Sequence, residues 1–142
     1  MLQNRSMPGS TVIPELVYPD VVAAVDWLCA AFGFSVRWRA GGHRAQLAVG
    51  DGCVIASEPD DVFAAPGDGP YSHSVMVRVE DADAHHARAR EHGAVILQAP
   101  TDFPYGERQY AAADLAGHRW WFSQSIADVA PESWGGVSGP AP

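Results

Sequence analysis

A chain of 142 residues, 47% apolar and 18% charged, has the size of one domain with a real core and is too short for two independent ones. Its net charge of −8 argues against nucleic acid, whose phosphates demand clustered Lys and Arg, and no apolar run approaches the ~18 residues of a membrane span. Residues 1–10 are polar and lack the apolar centre of a secretory signal, so a cytoplasmic location is expected, with neither membrane nor nucleic acid as partner.

In chain order, residues 1–10 read as a flexible end and Val12–Tyr18 as a strand. Asp20 then caps a helix whose apolar positions Val21, Val25, Leu28 and Phe32 recur at helical spacing, and Gly33 stops it. Strands follow at Phe34–Arg39, Arg44–Val49 and Cys53–Ser57, with hairpin turns at Gly41-Gly42 and Asp51-Gly52. Cys29 in the helix and Cys53 in the strand read as small core residues, not as a disulfide pair. Residues 59–70 form a linker.

The order then repeats. Ser74–Val79 reads as a strand, Asp81 caps a helix through His92, Gly93 stops it, and strands follow at Ala94–Leu97, Gln109–Ala113 and His118–Gln124. Val17 falls on Val77 and Gly33 on Gly93 at an offset of 60, whereas Gly52 falls on Gly117 at an offset of 65. The five extra residues lie in a Pro-rich loop, Gln98–Glu107, that carries Phe103 and Tyr105. Residues 126–142 are a tail rich in Pro, Gly and Ser, whose Trp134 docks on the domain or on a partner chain, or simply tethers the tail. The expected fold is α+β: paired βαβββ modules, 11–58 and 71–125, forming a curved mixed sheet around a cavity in a single domain, 11–125. The helices are expected on the outside, with the two concave faces meeting over the cavity.

The runs LVYPDVVAAVDWLCAAFGF, VRVEDADAHHARAREHGA and PYGERQYAAADLAGHRWWFSQS resemble the vicinal oxygen chelate superfamily, which includes glyoxalase I, extradiol dioxygenases, fosfomycin resistance enzymes and bleomycin-binding proteins. The resemblance spans Val12 to Gln124 and implies the fold more than the chemistry, since one fold hosts many functions. It implies four metal-ligand positions, occupied here by Ile13 or Pro14, Ala56, Ser74 and Trp121, none of them a credible ligand set. A shifted register could use Glu15, His73 or His118, although neighbours in a strand face opposite ways.

No nucleophile elbow, phosphate loop, paired-carboxylate spacing or Cys-His constellation appears. His85, His86 and His92 read as a solvated helix face, His43 as a hairpin residue facing water and His118 as structural. Trp27 on the first helix reads as core, and Phe122, with Trp120 on its side, turns toward the helix layer. The candidate ligand-binding residues are the rings Trp38, Phe103, Tyr105, Tyr110 and Trp121, with Gln46, Ser74 and Arg108 beside them and Glu15 on the same wall. The expectation is a binding protein without metal or other cofactor that sequesters a small aromatic molecule, an antibiotic or other natural product, and so confers resistance. It resembles the antibiotic-binding members of the superfamily, which implies a homodimer with two symmetric clefts. The alternative is a glyoxalase- or dioxygenase-like enzyme, a lyase, isomerase or oxidoreductase, with a displaced metal or none.

Overall fold

Two aspartates start the two helices. Asp20 and Asp81 each accept the backbone N–H three residues on, from Ala23 and Ala84, at 3.0 Å, which satisfies a donor that the first turn leaves free. Helix α1 spans Val21–Phe32 and ends at Gly33, whose φ of +77° suits a residue without a side chain; α2 spans Ala82–Glu91. The computed structural model describes residues 2–67 and 69–140. Met1, Asp68, Ala141 and Pro142, which belong to the expected N-terminal end, linker and tail, lie outside the described residues.

Each helix sits in a βαβββ module of the expected order. In the first, β1 (Glu15–Val17) runs parallel to β4 (Gly52–Ser57), followed by antiparallel β3 (Arg44–Val49) and β2 (Ser35–Ala40). In the second, β5 (Val75–Arg78) is parallel to β8 (Arg119–Ser125), followed by β7 (Glu107–Ala113) and β6 (Val95–Phe103). The α+β class and the paired modules therefore hold, as two mixed four-stranded sheets. The expected Gln98–Glu107 loop is different: β6 continues to Phe103, with irregularities between Ile96 and Gln98 and between Gln98 and Thr101. Pro100 has no N–H to give a ladder, and an edge strand with bulges is where a sheet accommodates it.

The helices do not lie on the outside. They pack against each other, with Arg88 donating to the carbonyls of Ala30 (2.7 Å) and Cys29 (3.1 Å) and the Trp27 indole donating to the His92 carbonyl (2.8 Å). The reason is composition: α1 buries Val21, Ala24, Val25, Leu28, Ala31 and Phe32, whereas α2 buries only Ala82 and Ala89. A helix with so little apolar surface cannot build a core of its own. It shares one with α1, and the same buried cluster takes in Leu47 and Val54 of the first sheet and Tyr110, Trp120 and Phe122 of the second.

A buried carboxylate ties the modules together. Asp114, 5% exposed, accepts from the Tyr18 hydroxyl of module one (2.6 Å), from the Trp120 indole (3.1 Å) and from the backbone N–H groups of Ala116 and His118 (3.0 Å each). His118 donates Nε2–H to the Val17 carbonyl at 2.7 Å, and its ring packs at a tilt against that of Tyr18. Burial, with Asp114 beside it, pushes the Tyr18 hydroxyl far above the ordinary tyrosine range, so it stays a donor.

His85 corrects the expectation of a solvated helix face. Its ring packs against those of Phe122 and Phe32, Nε2 donates to the Phe32 carbonyl at 3.0 Å, and Nδ1 accepts from the Tyr110 hydroxyl. That arrangement needs the neutral imidazole, and burial lowers the pKa of His85.

Two predictions follow from these buried groups. Asn at position 114 offers one carbonyl oxygen where two carboxylate oxygens now meet four donors, so Asp114→Asn is expected to lower stability by about 3 kcal/mol in urea denaturation. Because the folded pKa of His85 lies below its unfolded value near 6.5, the unfolded chain binds the extra proton as pH falls below about 6.5. The contribution of His85 is complete above that pH and is lost as pH drops through the folded pKa. A melting-temperature profile should slope there, and less so in His85→Gln.

Candidate functional site

Strand alternation decides which side chains are free to meet a ligand. In β3 and β4, Leu47 and Val54 face the helices, so Gln46, Ile55 and Cys53 lie on the opposite face, where Trp38 of β2 pairs with Gln46. In β7 and β8, Tyr110, Ala112, Trp120 and Phe122 face the helices, so Gln109, Ala111, Trp121 and Ser123 face away. Trp121 follows the expected alternation, flanked by Ala111 on one side and the exposed Met76 on the other.

Two expected site residues fall on the wrong face. Tyr110 is fully buried against His85 and Phe122, and Arg108, two residues earlier, shares its side of β7. Arg108 reaches Asp83 of α2 (3.0 Å) and Asp102 (2.8 Å), a partly exposed triad that leaves the guanidinium committed. The neighbouring residues, absent from the sequence expectation, supply the polar floor. The Tyr105 hydroxyl donates to Gln109 Oε1 (3.0 Å), Gln109 Nε2 to Ser123 Oγ (2.9 Å), and Ser123 Oγ to Glu107 Oε1 (2.7 Å). Hydrogen bonds from Ser125 and Ser123 hold the Glu107 carboxyl below its usual range.

Phe103 and Tyr105 stack at the rim of this sheet, with ring centroids 5.3 Å apart, and Trp134 of the tail meets Tyr105 edge-on at 5.7 Å. Trp134 thus docks on its own domain. The tail is anchored by Ile126 N–H to the Gly106 carbonyl, and Gly106, at φ +83°, leaves room for it: a Cβ there would stand 2.4 Å from the Ala127 carbonyl oxygen. On the first sheet, Trp38 and Gln46 both donate to the carbonyl of Ser6, in the segment expected as a flexible end.

Two clefts border these faces. One, of about 560 Å3, is lined on the second sheet by Ser74, Leu97, Gln98, Ala111, Arg119 and Trp121. The other, of about 760 Å3, runs along β5 between the modules, with Pro14 and Cys53 on one side and Ser74, Met76 and Arg78 on the other. Ser74 borders both. The site residues are therefore divided between two sheet faces, with the clefts along and beside β5, and do not surround one enclosed cavity.

The inherited metal positions do not fit a metal within one chain. Leu47–Val54 in the first module corresponds to Ala112–Trp120 in the second, an offset of 65 before the turn and 66 after it. Ala56 thus matches Phe122 and faces the helices, while the counterpart of Trp121 is Ile55. Among the described residues, no three His, Cys, Asp or Glu side chains group as a metal ion would require. Nor is any helix among them long and apolar enough to cross a membrane.

Comparison with known proteins places this geometry. The chain is 27% identical over 127 residues to an uncharacterized protein of Mycobacterium tuberculosis, covering 82% of this chain and 75% of that one. Among solved structures it is similar to TioX from Micromonospora sp. ML1, at 36% identity and a TM-score of 0.67, covering 83% of this chain and all of that one. A lactoylglutathione lyase from Agrobacterium tumefaciens, 16% identical with a TM-score of 0.62 over 84% of this chain and 96% of its own, shares the fold. The model of the Glyoxalase/Bleomycin resistance protein/Dioxygenase superfamily matches residues 11–122, and the chain belongs to that superfamily.

Proposed function

We propose that the protein binds and sequesters a small aromatic molecule, an antibiotic or other natural product, without a metal or other cofactor, and that it does so from the cytoplasm. Trp121 carries the reading. Where the superfamily's metal enzymes place a ligand on the last strand, this chain has an indole, turned away from the core and half-buried in a cleft with Ser74, Gln98 and Ala111. An indole cannot coordinate a divalent ion, but its face stacks flat molecules, with about 0.5–1.5 kcal/mol per ring pair beyond area burial. The Gln109–Ser123–Glu107 chain is already internally bonded, so it orients a ligand rather than supplying a free base.

The same reading includes a homodimer. β1 and β5 each pair on one side only, and Met76 and Val95, at 59% and 60% exposure, leave apolar surface on the second module. A second copy covering such faces would close each cleft symmetrically, as isologous contacts do.

Titration of a panel of aromatic antibiotics against intrinsic tryptophan fluorescence is expected to find a ligand, whose affinity Trp121→Ala lowers about tenfold with stability unchanged. No affinity across a broad panel would sink the proposal. So would stoichiometric Zn, Ni, Fe or Mn in protein purified without chelator, which is the mark of the enzyme alternative. Light scattering at micromolar concentration is expected to give twice the chain mass of 15.2 kDa.

A further inference from the structure

The face of the first sheet already holds something. The N-terminal segment meets it at residues 5 and 6: the Ser6 carbonyl accepts from both the Trp38 indole (3.0 Å) and the Gln46 amide (3.4 Å), while Arg37 donates to the Arg5 carbonyl at 3.4 Å. Among the described residues, these three hydrogen bonds are the ones that join residues 2–13 to the rest of the domain. The segment has no regular structure, and its large apolar side chains are poorly seated: Leu2, Met7 and Val12 are 94%, 43% and 78% exposed. It also precedes residue 11, where the superfamily match begins.

The cover fits the donors of the face and neglects its acceptor. Gln46 is fully buried, yet among the described residues its Oε1 has no partner, and neither has the buried Oγ of Ser10. A buried acceptor without a donor costs about 1–3 kcal/mol, so a molecule that supplied the missing N–H would outmatch the segment at that point. The hydrogen-bonding pattern on offer is specific: two donors converging on one acceptor, with an unmet acceptor on the same Gln46 side chain and an indole plane beside it.

We infer that this face is a cradle for a flat molecule carrying a carbonyl next to an N–H, a cyclic amide or imide, and that residues 5–10 stand in for that molecule until it displaces them. The inference rests on the binding function proposed above and names the ligand chemistry of one face. The ligand carbonyl takes the place of the Ser6 carbonyl on Trp38 and Gln46, and the ligand N–H bonds Gln46 Oε1. A face that its own strap covers nine-tenths of the time binds ligand about tenfold more weakly than the open face.

The test uses 1,8-naphthalimide and its N-methyl form, titrated calorimetrically into the full chain and into a chain lacking residues 1–9. Naphthalimide is expected to bind the shortened chain at least tenfold more tightly. Adding a peptide of residues 1–11 in trans should reverse that gain, and the N-methyl form, with no N–H for Gln46, should bind about tenfold more weakly than the parent imide. If the shortened chain fails to fold, Gln46→Leu in the full chain carries the test, since it should abolish the preference for the N–H imide. Equal affinity of both chains within twofold, or an unchanged imide preference in Gln46→Leu, would overturn the inference. Should other aromatic molecules bind in a Trp121-dependent way with no effect of the strap, this inference falls and the binding function stands. If no aromatic molecule binds either chain, both fall.

Discussion

The structure depends on the buried carboxylate of Asp114. A charge taken out of water is costly unless every lone pair is met, and here four donors converge on two oxygens, one of them reaching across from module one. The run Asp114 to Trp120 is thereby explained residue by residue. Asp114 accepts, Gly117 turns at φ +93° where a Cβ would press on the Tyr71 hydroxyl at 3.1 Å, His118 clamps the Val17 carbonyl, and Trp120 returns a hydrogen bond to Asp114. Since α2 contributes only two buried alanines, the second module is not self-sufficient, and the Tyr18 bond fixes how it shares the core of the first.

From that arrangement the division of labour in the strands follows. With both helices drawn into the common core, each strand gives every second residue to packing and the others to the open face. Along β8 this separates Trp120 and Phe122, both fully buried, from Trp121 and the hydrogen-bonding Ser123. Adjacent aromatic residues of one strand thus serve opposite purposes, and the fold can carry a ring-lined surface without weakening its centre.

Much of this is legible in the sequence because local chemistry encodes it. The two Asp caps, the stopping glycines and the repeat rest on backbone groups whose needs are met within a few residues. The parity of β8 is equally plain, since Trp-Trp-Phe ends in polar residues. That of β7 is not: Ala111, Ala112 and Ala113 are small on both faces, so no apolar alternation tells Gln109 from Tyr110, and the ring suggested the wrong side. His85 sits in a polar run on α2, and what makes its position interior is the approach of Phe32, Tyr110 and Phe122, each 25 or more residues away along the chain. The N-terminal segment is held through the carbonyls of Arg5 and Ser6, groups common to every residue, so no side-chain pattern announces it.

The contact between Gly106 and the tail has a meaning beyond this molecule. With Ala127 so close, any side chain at position 106 would force the tail onto another path and carry Trp134 off Tyr105. Residue 106 therefore serves as a marker among relatives: a glycine there permits the aromatic rim to be completed by the chain's own end, and an alanine or larger residue predicts a rim left for some other partner to finish.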